Sequence, residues 1–373
     1  MADEIKSAMH EVPGCKAQEP PAELLSRVSS LASIGRRPLS REQYVEGILA
    51  GERATLARAI TLIESTRDAD RMLAEQIIED CLPHSGNSIR LGITGVPGAG
   101  KSCLIESLGI YLIEEQQQKV AVLAIDPSSQ ISGGSILGDK TRMTQLAASD
   151  NAFIRPTPSR GSLGGVARRT REAMLLCEAA GYRSIIVETI GVGQSETAVH
   201  GMVDFFLLVL LAGAGDELQG IKRGVMEMAD LVLINKADGD NIRAAERARH
   251  DAQNALHYLP ASASGWMPRA QCCSAHSGSG ISELWQAVLE YAALARTNGW
   301  FEDLRRSQTL SWMHEIIEQG LLHLFDANAE VMKSKHQLEK EVIEGRTTSF
   351  RAARRLLEIY SEQRPAAADD AER

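Results

Sequence analysis

Apolar and polar positions along the chain follow two different periods, and the change between them sets the organisation. From residue 22 to about residue 82 the apolar residues recur every three to four positions: Leu24, Leu25, Val28 and Leu31, then Tyr44, Ile48, Leu49, Leu56, Ile60, Leu62 and Ile63. This is the spacing of one helical face. Ser40, just ahead of Arg41, Glu42 and Gln43, reads as a helix cap. Past residue 85 the pattern becomes short, nearly continuous apolar runs: Ile89–Thr94, Val120–Ile125, Ser184–Glu188, Phe205–Leu211 and Asp230–Ile234. Runs of this length, apolar toward both faces, predict parallel strands buried within a sheet. A helical run from Cys103 to Ile113 follows the first of them. From Trp300 the helical period returns. Leu304, Leu310, Met313, Ile316, Ile317, Leu321, Leu322 and Phe325 form a stripe wide enough to bury on two sides. A further helix is predicted around Phe350 to Tyr360, after a break at Gly345.

The chemistry lies where the strands end. The first run ends in Gly95-Val96-Pro97-Gly98-Ala99-Gly100-Lys101-Ser102, which fits G-x-x-x-x-G-K-[ST], the phosphate loop of P-loop NTPases. Glycines let backbone N–H groups turn inward around a β-phosphate. Lys101 sets a compact positive charge against the β- and γ-phosphates. The Ser102 hydroxyl suits Mg²⁺, and the helix that opens here points its positive end at the same anion. The glycine spacing is not the G-x-G-x-x-G of dinucleotide-binding folds. The expected fold class is therefore α/β, a P-loop NTPase with a mostly parallel sheet flanked by helices, plus N-terminal and C-terminal helical extensions. The strand at Asp230–Ile234 ends in Asn235-Lys236-Ala237-Asp238, the N-K-x-D pattern of GTP-binding proteins. An acceptor-only carboxylate at Asp238 takes both the ring N–H and the amino group of guanine, whereas adenine offers it a ring acceptor. Lys236 can lie along the base and Asn235 can tie loops together. Ser274-Ala275-His276 fits the short loop that closes over the base.

Between these anchors lie segments suited to sensing the γ-phosphate. Asp126 ends one strand, and Asp139 stands in the glycine-rich stretch that follows. Glu188 ends another strand, ahead of Gly191-Val-Gly193-Gln194. Mg²⁺ prefers oxygen ligands in octahedral order and keeps several waters. Ser102, Asp126, Asp139 and Glu188 together supply more than it needs, and the Gly191 N–H can meet the γ-phosphate. After Phe205–Leu211 comes a glycine-flanked polar segment holding Asp216, Gln219 and Lys222. It can touch nucleotide or a partner, or serve as a strand-to-helix loop with a capping Asp.

Taken together, G-V-P-G-A-G-K-S, D-P-S-S, G-D-K-T-R-M, E-T-I-G-V-G-Q-S-E, D-E-L-Q-G-I-K-R-G and N-K-A-D resemble the MeaB/ArgK family of P-loop GTPases over about residues 40 to 360. The resemblance implies a GTP-hydrolysing chaperone of an adenosylcobalamin-dependent acyl-CoA mutase, one that gates cofactor loading and protects or reactivates its client. It implies GTP or GDP and Mg²⁺ as ligands, with adenosylcobalamin reached only through the client. It carries the phosphate-loop, Mg²⁺ and guanine positions over to Gly95–Ser102, Asp126, Asp139, Glu188, Asn235, Lys236 and Asp238, beside which Cys103, Gly191 and Ser274–His276 complete the expected nucleotide contacts. Catalytic and switch roles fall on Lys101, Asp139, Glu188, Gln219 and Lys222. The C-terminal stripe becomes a homodimerisation arm. Two departures are mild: Cys103 stands where Thr often follows the loop serine, and Ile190 where Val is usual. The implied organisation is a polar tail over 1–20, a helical region over 21–84, the GTPase domain over 85–297, the arm over 298–364 and a solvated tail over 365–373.

Composition narrows the picture from outside. The 373 residues are 44% hydrophobic, enough for a full core. A net charge of −9 argues against general nucleic-acid binding. No run approaches the 18 apolar residues of a membrane span, and the first residues carry neither a signal-peptide pattern nor an arginine-rich leader. The expectation is a cytoplasmic protein. The six cysteines show no C-x-x-C or zinc spacing, so Cys272 and Cys273 read as reduced structural thiols rather than a chelating pair. A nucleotide-dependent small-molecule kinase or a transport-linked ATPase is the competing class, and N-K-A-D speaks against ATP.

Overall fold

Alternate residues of a strand face opposite sides of its sheet, and here both sides are apolar. The computed structural model describes residues 39–126, 143–158, 163–189, 195–212, 223–260 and 262–362. Among the described residues seven strands form one sheet: β1 (Ile89–Gly95), β2 (Val120–Asp126), β3 (Ala152–Pro158), β4 (Ser184–Thr189), β5 (Phe205–Leu211), β6 (Leu231–Asn235) and β7 (Arg269–Cys272). Their spatial order is β3-β2-β4-β1-β5-β6-β7, and every pairing is parallel. The mostly parallel sheet expected from the sequence is thus parallel throughout.

One face carries Leu91, Ile93, Val122, Ile186, Phe205, Leu207 and Leu233. It packs on α4 (Lys101–Glu114) and on α10 (Ile281–Thr297), through Leu104, Leu108, Leu284, Trp285 and Tyr291. The opposite face carries Leu123, Ile185, Val187 and Phe206. It packs under α6 (Leu163–Ala179), against which α1 (Arg41–Leu49), α2 (Arg53–Glu64) and α3 (Asp68–Cys81) lay Tyr44, Ile48, Leu56, Ile60 and Ile77. Ser40 caps α1 as expected. Its hydroxyl accepts the Gln43 N–H at 3.3 Å and the Gln43 amide oxygen accepts the Ser40 N–H at 3.0 Å, a reciprocal capping box. Leu24, Leu25, Val28 and Leu31 lie outside the described residues, as do both tails.

Two edge strands escaped the sequence pattern. β3 contains Pro156 and Pro158, which cannot donate to a ladder, and it sits on one edge. β7 is the four residues Arg269–Cys272 on the other edge, too short and polar to show a period. The remaining helices are α5 (Thr144–Ala148), α7 (Ser195–His200), α8 (Arg223–Glu227), α9 (Ile242–His257), α11 (Trp300–Ala327), α12 (Ala329–Ile343) and α13 (Ser349–Glu362). Gly345 lies between the last two at φ 70°, in place of the predicted break.

From β1 the chain crosses β4 to reach β2, and from β4 it crosses β1 in the opposite sense to reach β5. That reversal opens a crevice at the carboxyl ends of β1, β4 and β5, where open α/β sheets bind ligands.

Candidate functional site

The loop from Gly95 to Ser102 rises from this crevice, and its path demands glycine. At Gly95, φ is 150° and an added Cβ would sit 2.1 Å from the Val209 carbonyl oxygen on the neighbouring strand. At Gly100, φ is 84° and a Cβ would lie 2.7 Å from Asn235 Nδ2. No side chain fits at either position, so the backbone passes close to β5 and β6. Lys101 is the first residue of α4 and is buried. Its ammonium donates to the carbonyl oxygens of Gly95, at 2.8 Å, and Val96, at 3.2 Å. Burial pushes the Lys101 ammonium below the usual lysine range, and the carboxylates of Glu188 and Glu196 partly offset that.

One residue further on, the Ser102 hydroxyl donates to Glu188 Oε1 at 3.2 Å. Glu188 is itself buried near the end of β4, opposite Ile93 of β1. A hydroxyl and a carboxylate side by side beneath the loop are the hard oxygen donors that Mg²⁺ takes. Just above the last pairing of β1 with β4, the Thr189 hydroxyl donates to that of Thr94 at 2.8 Å, both fully buried.

The base-reading end assembles around Asn235. It is 1% exposed, so its amide must be satisfied within the protein. Its Nδ2 donates to the Ala99 carbonyl at 2.8 Å, and its Oδ1 accepts the Ala275 N–H at 3.1 Å. One side chain therefore holds the phosphate loop and the Ser274–His276 loop in fixed relation. Ser107 of α4 adds a bond from its hydroxyl to the Ala275 carbonyl at 2.6 Å. The backbone then turns at Lys236, a non-glycine residue at φ 59°, and Ala237 N–H reaches the Cys273 carbonyl at 3.0 Å. Asp238 accepts a hydrogen bond from the Ser274 hydroxyl, and this bond sets the carboxylate's orientation. His276 and Lys236 are exposed at the rim, as are Pro97, Gly98 and Cys103.

The structure thus brings together Gly95–Ser102, Glu188, Asn235, Asp238 and Ser274–Ala275 at one end of the sheet. Asp126 ends β2, next to β4, and only its backbone is described. Asp139, Gly191, Asp216, Gln219 and Lys222 lie outside the described residues. Two features went unread in the sequence. Thr94 and Thr189 look like ordinary strand residues. Glu196 closes the motif that begins at Glu188, yet nothing in its spacing gave it a role. It lies in the first turn of α7, is 6% exposed, and its Oε2 has no hydrogen-bond partner among the described residues.

A parallel sheet with a glycine-bounded loop and buried lysine after β1, and an Asn–Asp pair at the end of β6, defines the class of P-loop GTPases. Comparison with known proteins goes further. The family model described as methylmalonyl-CoA mutase-associated GTPase MeaB matches residues 56–330. GTPase ArgK of Escherichia coli is 50% identical over 284 residues, 76% of this chain and 86% of that protein. The mouse methylmalonic aciduria type A homolog, mitochondrial, is 44% identical over 329 residues, 86% of this chain and 79% of that protein. A crystal structure of a protein called LAO/AO transport system kinase superposes with a TM-score of 0.70 at 40% identity, covering 86% of this chain and 97% of that one. The chain belongs to the MeaB family, and it is a GTPase.

Proposed function

We propose that this GTPase gates adenosylcobalamin loading onto a cobalamin-dependent acyl-CoA mutase and protects or reactivates that client. The observation that carries the reading is the family match over residues 56–330, whose description names association with methylmalonyl-CoA mutase. In this reading Gly95–Ser102 and Cys103 hold the phosphates and Lys101 neutralises them. Asp238 selects guanine, while Asn235 and Ser274–His276 keep the base site closed. Ser102 and Glu188 hold Mg²⁺, with Asp126 and Asp139 joining them. Bound there, Mg²⁺ would neutralise charge on the β- and γ-phosphates. Gly191 meets the γ-phosphate, and the segment from Asp216 to Lys222 relays nucleotide state to the mutase. Hydrolysis is slow alone and is stimulated by the client. The exposed stripe on α11 makes the protein a homodimer.

The decisive experiment measures GTP hydrolysis and adenosylcobalamin transfer with purified candidate mutases, for the wild type, Lys222→Ala and Gln219→Ala. The expected outcome is stimulation of the wild type by its client, lost in both variants while GTP affinity of the isolated protein stays nearly unchanged. Reciprocity adds a check: a mutase that alters nucleotide affinity must bind the GTP and GDP forms with affinities differing by the same factor. If no cobalamin mutase alters the wild-type rate, the chaperone reading fails and the GTPase alone remains. A small-molecule kinase or transport-linked ATPase is the second reading, favoured by the kinase name that the 40%-identical protein carries. The carboxylate of Asp238, oriented by Ser274, supports guanine over adenine and hence the first reading.

A further inference from the structure

A hydroxyl residue inside an α-helix commonly faces water or returns its proton to the carbonyl four residues back. Four helical threonines of this chain take the second course. Thr61 donates to Ala57, Thr170 to Val166, Thr297 to Ala293 and Thr309 to Arg305, at 2.8, 2.9, 2.8 and 2.8 Å. Ser107 of α4 does neither. Its hydroxyl leaves the helix and donates at 2.6 Å to the Ala275 carbonyl, a residue 168 positions away in the chain. The helix that carries it begins at Lys101, directly under the phosphate loop. At 1.5 Å per residue, Ser107 stands about 9 Å further along the axis. One rigid element therefore joins the phosphate loop to the loop expected to close over the base.

The base loop closes on itself before anything else holds it. The Ser274 N–H donates to the Ser279 carbonyl and the Gly278 N–H to the Ser274 carbonyl, each at 2.9 Å. Its exit is Gly280 at φ 81°, where a Cβ would lie 2.5 Å from the Cys272 carbonyl oxygen. Within the loop Ala275 is buried, and two side chains from other elements bond its backbone. Asn235, at the end of β6, accepts its N–H at 3.1 Å, and Ser107 donates to its carbonyl. One such bond leaves the loop a pivot, whereas two bonds from different elements fix its orientation. We infer that Ser107 is a positioning residue for the guanine base, holding the Ser274–His276 loop at a set distance from the phosphate loop so that base and phosphates are gripped together. This deepens the proposed nucleotide site, on which it rests, and it is independent of any client protein.

Ser107→Ala in the full-length protein tests the role. Alanine is the best helix former, so the change removes the hydroxyl and leaves α4 intact. Calorimetric titration should show GDP bound about three- to tenfold more weakly, the scale of one net hydrogen bond. The KM for GTP should rise by the same factor while kcat stays within about twofold, because a binding contact remote from the γ-phosphate acts on ground and transition states alike. Inorganic tripolyphosphate fills the phosphate loop and has no base. As a competitor of GTP hydrolysis it should inhibit variant and wild type equally, within about twofold. This split separates positioning of the base from a merely structural role, since a loosened α4 would carry the phosphate loop with it and weaken tripolyphosphate as much as GDP. Unchanged GDP affinity overturns the proposal, as does equal weakening of tripolyphosphate or a fall in kcat at constant KM. If the variant does not fold, as judged by thermal melting, Ser107 is structural and the proposal falls. Failure of the wild type to bind GDP in the same titration would instead strike the nucleotide-site reading.

Discussion

Asn235 illustrates how much one side chain can hold in this site. Its two hydrogen bonds, to the Ala99 carbonyl and from the Ala275 N–H, are both buried. Asn235→Ala would leave a carbonyl and an amide N–H without partners, at about 1–3 kcal/mol each. The expected outcome is a lower urea midpoint and at least about tenfold weaker GDP binding, since the two loops lose their fixed relation. Asp238 makes a different kind of prediction, one of selectivity. Asp238→Asn keeps the shape but presents an amide donor where guanine also donates. GTP affinity should fall and xanthine nucleotides should gain, as titrations with GDP, XDP and ADP would show. Equal affinity of the wild type for GDP and ADP would sink the guanine reading. These two residues were legible in the sequence because N-K-x-D is a local signal. What the sequence could not say is which carbonyl Asn235 reaches, since Ala99 is far away along the chain and near only in the fold.

At the scale of elements, the end of the sheet opposite the site is locked by a buried charge network. Arg305 of α11 donates to Asp204 at 2.7 and 2.8 Å and to the carbonyls of Gly86 and Ser88. Asp204 also accepts the Arg90 N–H of β1, and Arg90 pairs with Glu178 of α6 at 2.9 and 3.0 Å. Three elements are thereby joined through charges that are largely shielded from water. Removing one partner leaves the others uncompensated, so Arg305→Ala should cost about 3 kcal/mol in urea unfolding. GDP binding at the far end of the sheet should change little. A second element-level effect concerns Asp230, which precedes β6 and accepts the Phe206 N–H at 2.8 Å. Burial pushes its carboxyl up to about 7 from an ordinary 3.8. The unfolded chain ionises this group near pH 4, whereas the folded chain holds the proton until about pH 7. The folded state binds more protons across that window, so this group's contribution to stability falls as pH rises from about 4 to about 7, then levels off. Asp230→Asn should remove that slope, which melting temperatures measured across the window would reveal.

At the scale of the whole molecule, α11 presents Leu310, Met313, Ile316, Ile317, Leu321 and Leu322 as exposed residues along one 28-residue helix. An apolar surface of this extent on a helix is the usual mark of a protein interface. If it is the homodimer contact proposed above, Ile317→Glu should shift the sedimenting species from dimer to monomer. GDP binding should be retained, because residue 317 lies outside the nucleotide site. An unchanged sedimentation coefficient would assign the stripe to something other than self-association. The apolar period by itself determined that a helix would form here and how wide its apolar face would be. It could not determine whether the G domain or another surface covers that face, because burial depends on partners in space. The same division holds elsewhere. Local composition determined the central strands, since strands buried on both faces must be apolar throughout. It determined the phosphate loop and the guanine motif too, because their chemistry is written in consecutive residues. The edge strands β3 and β7 were decided by tertiary pairing, since their prolines and polar residues carry no strand period. The strand order, which opens the crevice beside β1, was decided by packing two helical layers on one sheet. Glu196 acquired its buried position for the same reason: glycine at residue 92 lets α7 approach β1 closely, and the sequence alone does not show that approach.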